Sequence, residues 1–138
     1  MKKQLLVVLS LGLLLATASA YAQEELVVAN VPFDFTINGK TLPAGEYVIS
    51  SVGTSNTVLS INNRDKHAAM LAMPIRCESA EASEKTKLVF NHRGSRYFLK
   101  QIWVRGYKAG REFPQGALES EVALDYPAET VVLLAQSR

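Results

Sequence analysis

Cysteine and histidine are scarce in this 138-residue chain, and their scarcity excludes two classes of protein. Cys77 is the only cysteine, so no disulfide forms within the chain. Its thiol is either a small buried apolar group, which we favour, or half of a bridge between two chains. His67 and His92 are the only histidines, and no residues have the spacing of a zinc motif. The sequence therefore predicts no metal and no cofactor.

An excess of charge of one sign is also lacking, since 15 basic residues stand against 13 acidic ones. Balanced charge is not typical of nucleic-acid binding, so no nucleic-acid partner is expected. Catalytic motifs such as Gly-x-Ser-x-Gly are lacking too, and the carboxylates are scattered along the chain. We predict no catalytic residue and a protein that is not an enzyme. A site assembled from scattered Asp, Glu and His is the weaker alternative.

Only the N-terminus carries a long apolar run. Lys2 and Lys3 precede LLVVLSLGLLLA, and TASAYAQ follows, which is the arrangement of a signal peptide. The apolar run, about 14 residues, is shorter than the roughly 20 that a membrane-spanning helix needs. We predict a signal peptide over 1–22, cut after Ala22 or, as second choice, after Ala20, and a single domain over 23–138. The mature protein is expected to be periplasmic or secreted, with no transmembrane segment.

The rest of the chain consists mostly of short segments in which apolar and polar residues alternate. Odd positions from Val27 to Ile37 are apolar, which predicts a half-buried strand, and Pro32 indicates a sheet edge or a bulge within it. Residues 67–75 are apolar on both faces, which favours a central strand over a short buried helix. Further strands are predicted over 46–52, 57–61 and 129–136, with a hairpin over 87–104 whose tip is Gly94.

These segments together predict the fold class. Residues 114–126 have apolar residues four apart after Pro114, which predicts a short helix. We therefore expect an all-β, mainly antiparallel, single-domain β-sandwich or small barrel of about seven strands, with one short helix near the C-terminus.

Three motifs carry a resemblance to a known family. They are VPFDFTINGKTLPAGEYVI in the opening strands, KLVFNHRGSRYFLKQIW in the hairpin, and GRE at 110–112. The chain resembles a family of small exported β-rich proteins of unassigned function from soil bacteria, over roughly residues 27–113. The resemblance implies export and a β-rich fold, and it transfers no catalytic residue. Burial of Phe33, Phe35 and Ile37, at roughly 1.5–3 kcal/mol each, explains the opening motif as a folding element.

Basic residues are concentrated in one segment, because eight of them and no acidic residue occur between Lys85 and Arg111. Aromatic residues are interspersed with them, and strict alternation places Tyr97, Leu99 and Trp103 on one face of the second hairpin strand. One interpretation is a surface for an anionic partner, formed by Arg93, Arg96, Lys100, Arg105, Tyr107, Lys108 and Arg111. The alternative is that the cations are neutralised within the fold and the aromatics are core, with acids such as Glu78, Glu81, Glu84, Glu119 and Glu121 as partners.

The leading hypothesis is a non-catalytic exported β-domain that acts as a structural or binding module of the cell envelope. Its partner is unknown; the basic and aromatic 93–111 region indicates an anionic envelope polysaccharide or lipid, and a strand edge near Pro32 is a second candidate surface. The alternative is a small β-barrel carrier of a hydrophobic ligand, which predicts a cavity lined by Met70, Met73 and Phe90.

Overall fold

The computed structural model describes residues 26–55 and 57–137, and the predicted signal peptide lies outside them. Within these residues no helix has the length and apolar character needed to cross a bilayer. The described chain contains twelve strands and one helix: β1 Leu26–Val31, β2 Phe35–Ile37, β3 Lys40–Leu42, β4 Gly45–Val52, β5 Val58–Asn63, β6 Ala69–Ala72, β7 Ile75–Glu78, β8 Lys87–Arg93, β9 Arg96–Trp103, β10 Ala109–Glu112, α1 Ala117–Ala123, β11 Glu129–Leu134 and β12 Gln136–Ser137.

The strands form two sheets that do not close into a barrel. The first sheet has the order β12–β1–β4–β5–β6, and its pairings are antiparallel. The second has the order β11–β8–β9–β10–β7, with β2 and β3 attached beside β9. The prediction of an all-β, mainly antiparallel sandwich with one helix near the C-terminus is confirmed, although the described chain has twelve strands in place of about seven.

One hydrophobic core lies between the two sheets. The first sheet contributes alternate side chains of β1, β4 and β5, and the second contributes those of β2, β8 and β9. The largest fully buried side chains include Tyr47, Phe90, Ile37 and Leu42. Each such side chain stabilises the fold by roughly 1.5–3 kcal/mol, so burial of this core is the main source of stability.

At Pro32 the chain passes from one sheet to the other. The alternating segment that predicted a single strand is divided, because β1 belongs to the first sheet and β2 to the second. Proline has no N–H to donate to a strand ladder, so regular pairing ends there. β1 lies between β12 and β4, but β12 pairs only with Val27 and Val28, so the part of β1 next to Pro32 has a strand partner on one side only in the described chain.

The opening motif holds this crossing in place. Asp34 accepts a hydrogen bond at Oδ1 from the N–H of Ala44 at 2.9 Å, and the hydroxyl of Tyr47 donates to the carbonyl of Pro43. The ring of Tyr47 meets Phe35 edge to face, with 5.0 Å between centroids. Burial raises the pKa of Tyr47, which keeps the hydroxyl protonated as a donor. The motif thus joins the two sheets through local contacts.

Gly45 of the same motif is required by a close approach. A Cβ at this position would lie 2.5 Å from Nδ2 of Asn63, and the backbone φ is +156°. Asn63 cannot move aside, because its Oδ1 accepts hydrogen bonds from the N–H groups of Asp65 and Lys66, both at 2.9 Å. The turn before β4 and the turn after β5 are therefore packed around one amide.

Residues 67–75 form parts of two edge strands instead of the predicted central one. β6 ends the first sheet and β7 ends the second, with Pro74 between them. Met73 is 71% exposed, whereas Phe90 is fully buried in the core. The residues expected to line a carrier's cavity therefore do not meet around one, and the fold does not favour the carrier hypothesis.

Candidate functional site

The seven residues of the predicted basic surface are dispersed over the second sheet. They occupy the hairpin turn, the middle of β9, the turn after β9, and β10. Arg93 and Arg96 flank the hairpin turn, and Lys100 lies in the middle of β9. Arg105, Tyr107 and Lys108 lie in the turn after β9, and Arg111 lies on β10. The ends of the eight-residue β9 are roughly 23 Å apart, so these side chains do not form one patch.

Arg93 is neutralised within the fold. Its Nε donates to Oε2 of Glu119 at 3.0 Å, and its Nη1 donates to the carbonyl of Tyr126 at 3.0 Å. Nδ2 of Asn91 donates to the same carboxylate oxygen at 3.0 Å. The side chains of Arg93 and Glu119 are only 12% and 9% exposed. This buried pair attaches α1 to the sheet, so at this position the basic cluster is structural.

A β-bulge determines which side chains of β9 face outward. The pairing of β9 with β8 skips Lys100 as an extra residue. Leu99 and Ile102 consequently both pack into the core, although three positions separate them. Trp103 then faces the opposite way from Leu99, towards the outer side of the sheet. The prediction that these two share a face is wrong, because strict alternation does not hold across the bulge.

The outer face of the second sheet has a covered end and an open end. At the covered end α1 lies over the sheet, and Phe98 is only 4% exposed there. The open end carries Trp103, Val132 and Leu134, and the last two are 52% and 59% exposed. A groove of about 670 Å³ lies across the open end. We take this groove as the candidate site, since it combines a partly exposed aromatic side chain with a concave surface.

Trp103 lies flat against β10 because Gly110 has no side chain. A Cβ at Gly110 would lie 2.7 Å from Cε3 of the indole and 2.9 Å from both Cδ2 and Cζ3. If Gly110 met the indole edge-on, in the plane of the ring, its Cβ position would lie much farther from Cδ2 and Cζ3 than from Cε3. Near-equal distances therefore show that Gly110 lies against a face of the ring. The six-membered ring of Trp103 thus rests on backbone as a flat platform.

A chain of hydrogen bonds fixes the polar groups beside this platform. Nε1 of Trp103 donates to Oε1 of Gln101 at 3.0 Å, and Nε2 of Gln101 donates to Oε1 of Glu112 at 3.3 Å. The indole N–H can only donate, so its partner atom on Gln101 is the amide oxygen and the orientation of that amide follows. Trp103, Gln101 and Glu112 form a preorganised row on the outer face.

The wall of the groove is the acidic loop of residues 79–85. Ser79 N–H donates to the carbonyl of Lys108 at 2.8 Å, and Ser83 N–H donates to the carbonyl of Tyr107 at 3.0 Å. The N–H of Gly106 donates in return to the carbonyl of Ser83 at 2.9 Å. The turn after β9, which carries three predicted surface residues, therefore supports this wall.

Cations and carboxylates both line the groove. Lys87 extends from the floor beside Trp103, and Lys85, Glu81 and Glu84 extend from the wall. A second cleft of about 450 Å³ shares Glu84 and Lys85 with the groove and adds Arg105. Arg105 is thus the predicted surface residue that the fold brings to this region, together with Lys85 and Lys87 of the same basic segment.

The histidines and the cysteine do not converge. Among the described residues no three side chains of His, Cys, Asp or Glu come together as metal ligands. His67 is exposed. His92 lies on β8 and stacks on Tyr97 with 4.0 Å between ring centroids. Cys77 is half-buried on β7, and burial, with a smaller effect of Glu112, raises the pKa of its thiol.

Sequence reasoning missed Trp103, Gln101 and Gly110 as parts of one site. The relevant signal is a Gly on one strand opposite an aromatic on the next, but the pairing of β9 with β10 has to be known before it can be recognised.

Searches against protein-family models, curated proteins and solved structures find no significant match to this chain. Function is therefore argued from the geometry.

Proposed function

We propose that the protein is an exported, non-catalytic binding module of the cell envelope that holds an acidic polysaccharide in the groove over Trp103. The observation that carries this proposal is the partly exposed indole, flat on Gly110, on the floor of a groove of about 670 Å³. Export through the predicted leader over 1–22 would place this groove among envelope polysaccharides.

The platform suits a sugar ring because a pyranose has an apolar C–H face and a polar rim. The indole offers a flat apolar surface with a partial negative charge over the ring, which attracts C–H groups. Gln101 and Glu112 lie in a hydrogen-bonded row beside it and offer fixed polar atoms to hydroxyl groups. Fixed polar atoms contribute more to binding than mobile ones, because less conformational entropy is lost.

The cations favour an acidic polysaccharide over a neutral one. Lys85, Lys87 and Arg105 lie along the groove and the adjoining cleft, against the two carboxylates Glu81 and Glu84. Sugar carboxylates accept charge-assisted hydrogen bonds from such groups. Continuity of the two clefts at Lys85 gives a path for several sugar units. A lipid headgroup shares this chemistry, but the groove is lined mostly by polar side chains and leads to no apolar cavity for acyl chains in the described chain.

The test uses chain expressed with its own leader in a Gram-negative host. The mature protein, expected to begin at Gln23 in the periplasmic fraction, is titrated with polygalacturonate oligomers, with neutral malto-oligomers, and with vesicles of anionic phospholipid. We expect binding to polygalacturonate that weakens with salt. Trp103→Ala should weaken it about tenfold or more.

Two further variants separate the platform from the charges. Gly110→Ala should weaken binding as Trp103→Ala does, because the added methyl displaces the ring. Lys85→Gln with Lys87→Gln should reduce the salt dependence of polygalacturonate binding, and Arg105 of the adjoining cleft should account for what remains. Lys100→Gln is the matched control, since Lys100 is exposed outside both clefts. Equal binding by wild type and Trp103→Ala, or binding to vesicles alone, contradicts the proposal.

A further inference from the structure

The free edge of β7 supports an inference that does not depend on glycan binding. β7 is the last strand of the second sheet in the described chain and pairs with β10 on its other side. An edge strand presents N–H and C=O groups on which another strand can pair. Three apolar side chains follow one another at alternate positions along this side of the sandwich, and each is more than half exposed. They are those of Leu71, Met73 and Ile75.

Hydrogen bonds to β10 show which backbone groups of β7 face the edge. Successive residues of an antiparallel strand direct their N–H and C=O groups alternately to one side and the other. The N–H of Ser79 donates to the carbonyl of Lys108 at 2.8 Å, so Cys77, two positions earlier, also faces β10. Arg76 and Glu78 therefore direct their N–H and C=O groups to the free edge.

The side chains at the same two positions are complementary in charge. Arg76 and Glu78 lie on one face, with side chains 70% and 68% exposed and 3.1 Å between Nη2 and Oε1. When β7 is paired antiparallel with its own copy about Cys77, each arginine lies opposite a glutamate of the other copy. Because these residues also carry the free N–H and C=O groups, each pair exchanges two backbone hydrogen bonds.

We propose that β7 pairs with β7 of a second copy of this chain, about a two-fold axis at Cys77, to form a dimer with one continuous sheet. Charges on an edge strand normally discourage pairing, but the Arg-x-Glu pattern is complementary to its own inverted copy. The apolar side chains of Ile75 and Met73 would be partly covered by the second copy. The axis is perpendicular to the sheet, so the two grooves would open on the same side and bind one polymer with enhanced avidity.

Charge exchange tests this register. Sedimentation of the wild type over a range of concentrations should show a reversible dimer. Arg76→Glu alone and Glu78→Arg alone should each give a monomer, because each places like charges opposite one another twice. The double variant Arg76→Glu with Glu78→Arg should restore the dimer. A monomeric wild type, or a dimer that both single variants retain, overturns the proposal; glycan binding by a monomer leaves the groove proposal standing.

Cysteine cross-linking tests the axis. The two Cys77 residues would form a non-hydrogen-bonded pair with Cα atoms about 4.5 Å apart, within disulfide reach. Copper(II)-phenanthroline with dissolved oxygen should remove two electrons and two protons from the two thiols and join them. Cys77→Ser with Ile75→Cys should not cross-link, because equivalent residues would be about 13 Å apart along the strands. Adding Ser79→Cys to that variant should restore the cross-link, and equal cross-linking of all variants contradicts the register.

Discussion

The two ends of the outer face of the second sheet share their strands and differ in what lies over them. At the covered end, α1 lies over Phe98, and the carboxylate of Glu119 neutralises Arg93. At the open end, Trp103 and Lys87 occupy the corresponding outward positions on β9 and β8, and only the loop over 79–85 borders them. Cations and aromatics of one hairpin therefore have different surroundings at its two ends.

This comparison shows that the basic and aromatic composition of the hairpin is not by itself a binding signal. Arg93 already donates to Glu119 and to a backbone carbonyl, so a ligand would have to displace a buried pair. Lys87 lines a groove and has no such carboxylate partner among the described ion pairs. The alternative of internal neutralisation applies at the covered end, and the proposed binding role belongs to the open end.

The largest expected effect distinguishes the two outward-facing aromatics of β9, Phe98 and Trp103. Phe98→Ala should lower the free energy of unfolding by about 3–5 kcal/mol, because it opens a cavity beneath α1. Trp103→Ala should cost less, since the indole is already partly exposed, while it weakens glycan binding. Urea unfolding monitored by far-UV circular dichroism measures both. Equal destabilisation by the two variants would mean that the open end is as much a part of the packed structure as the covered end.

The second effect concerns the ion pair that attaches α1. Glu119→Ala leaves Arg93 and Asn91 without their shared acceptor in a site with little access to water, so it should cost about 3 kcal/mol. Glu121→Ala is the matched control, because Glu121 is an exposed acid on the same helix, and its effect should stay within about 0.5 kcal/mol. Unchanged stability in Glu119→Ala would show that the covered end does not depend on the pair.

Strand content was predictable because it follows from local alternation. The predicted hairpin over 87–104 with Gly94 at its tip corresponds to β8 and β9. Pro114 precedes a helix that begins at Ala117, and its N-cap residue, Gly116, makes no side-chain capping hydrogen bond. Local patterns do not report which sheet a strand joins, so the crossing at Pro32 was not predicted. They do not report sheet edges either, which is why residues 67–75 were assigned a central position.

The site was less predictable than the fold because it depends on contacts between strands. β10 is short and contains Gly110, so it shows no alternation that would predict a strand. The bulge at Lys100 is specified by the pairing of β8 with β9, and it alone reverses the direction of Trp103. A flat indole on a glycine therefore emerges only when three neighbouring strands are placed in register.

The smallest expected effect uses Cys77 as a probe of the open end. Burial, and to a smaller extent the charge of Glu112, raises the pKa of this thiol, with partial opposition from backbone hydrogen bonds. Since the thiolate is the reactive form, alkylation by iodoacetamide should be slow at neutral pH and should accelerate only at more alkaline pH than for a cysteine peptide. Glu112→Gln should make the neutral-pH reaction somewhat faster, whereas Glu121→Gln should not change it.

The same shift has a consequence for stability with a definite sign. Because the folded chain holds the thiol proton more tightly than the unfolded chain, the contribution of Cys77 is present below the usual thiol pKa and is lost as the pH rises above it. Cys77→Ser should remove this alkaline loss of stability.

The alkylation experiment needs a control for shielding of Cys77 by a second copy. Alkylation measured at protein concentrations that give a monomer by sedimentation excludes such shielding. A Cys77 that reacts as fast as a free peptide would show that the edge of the open end is more exposed than its packing against Gly110 and Glu112 indicates.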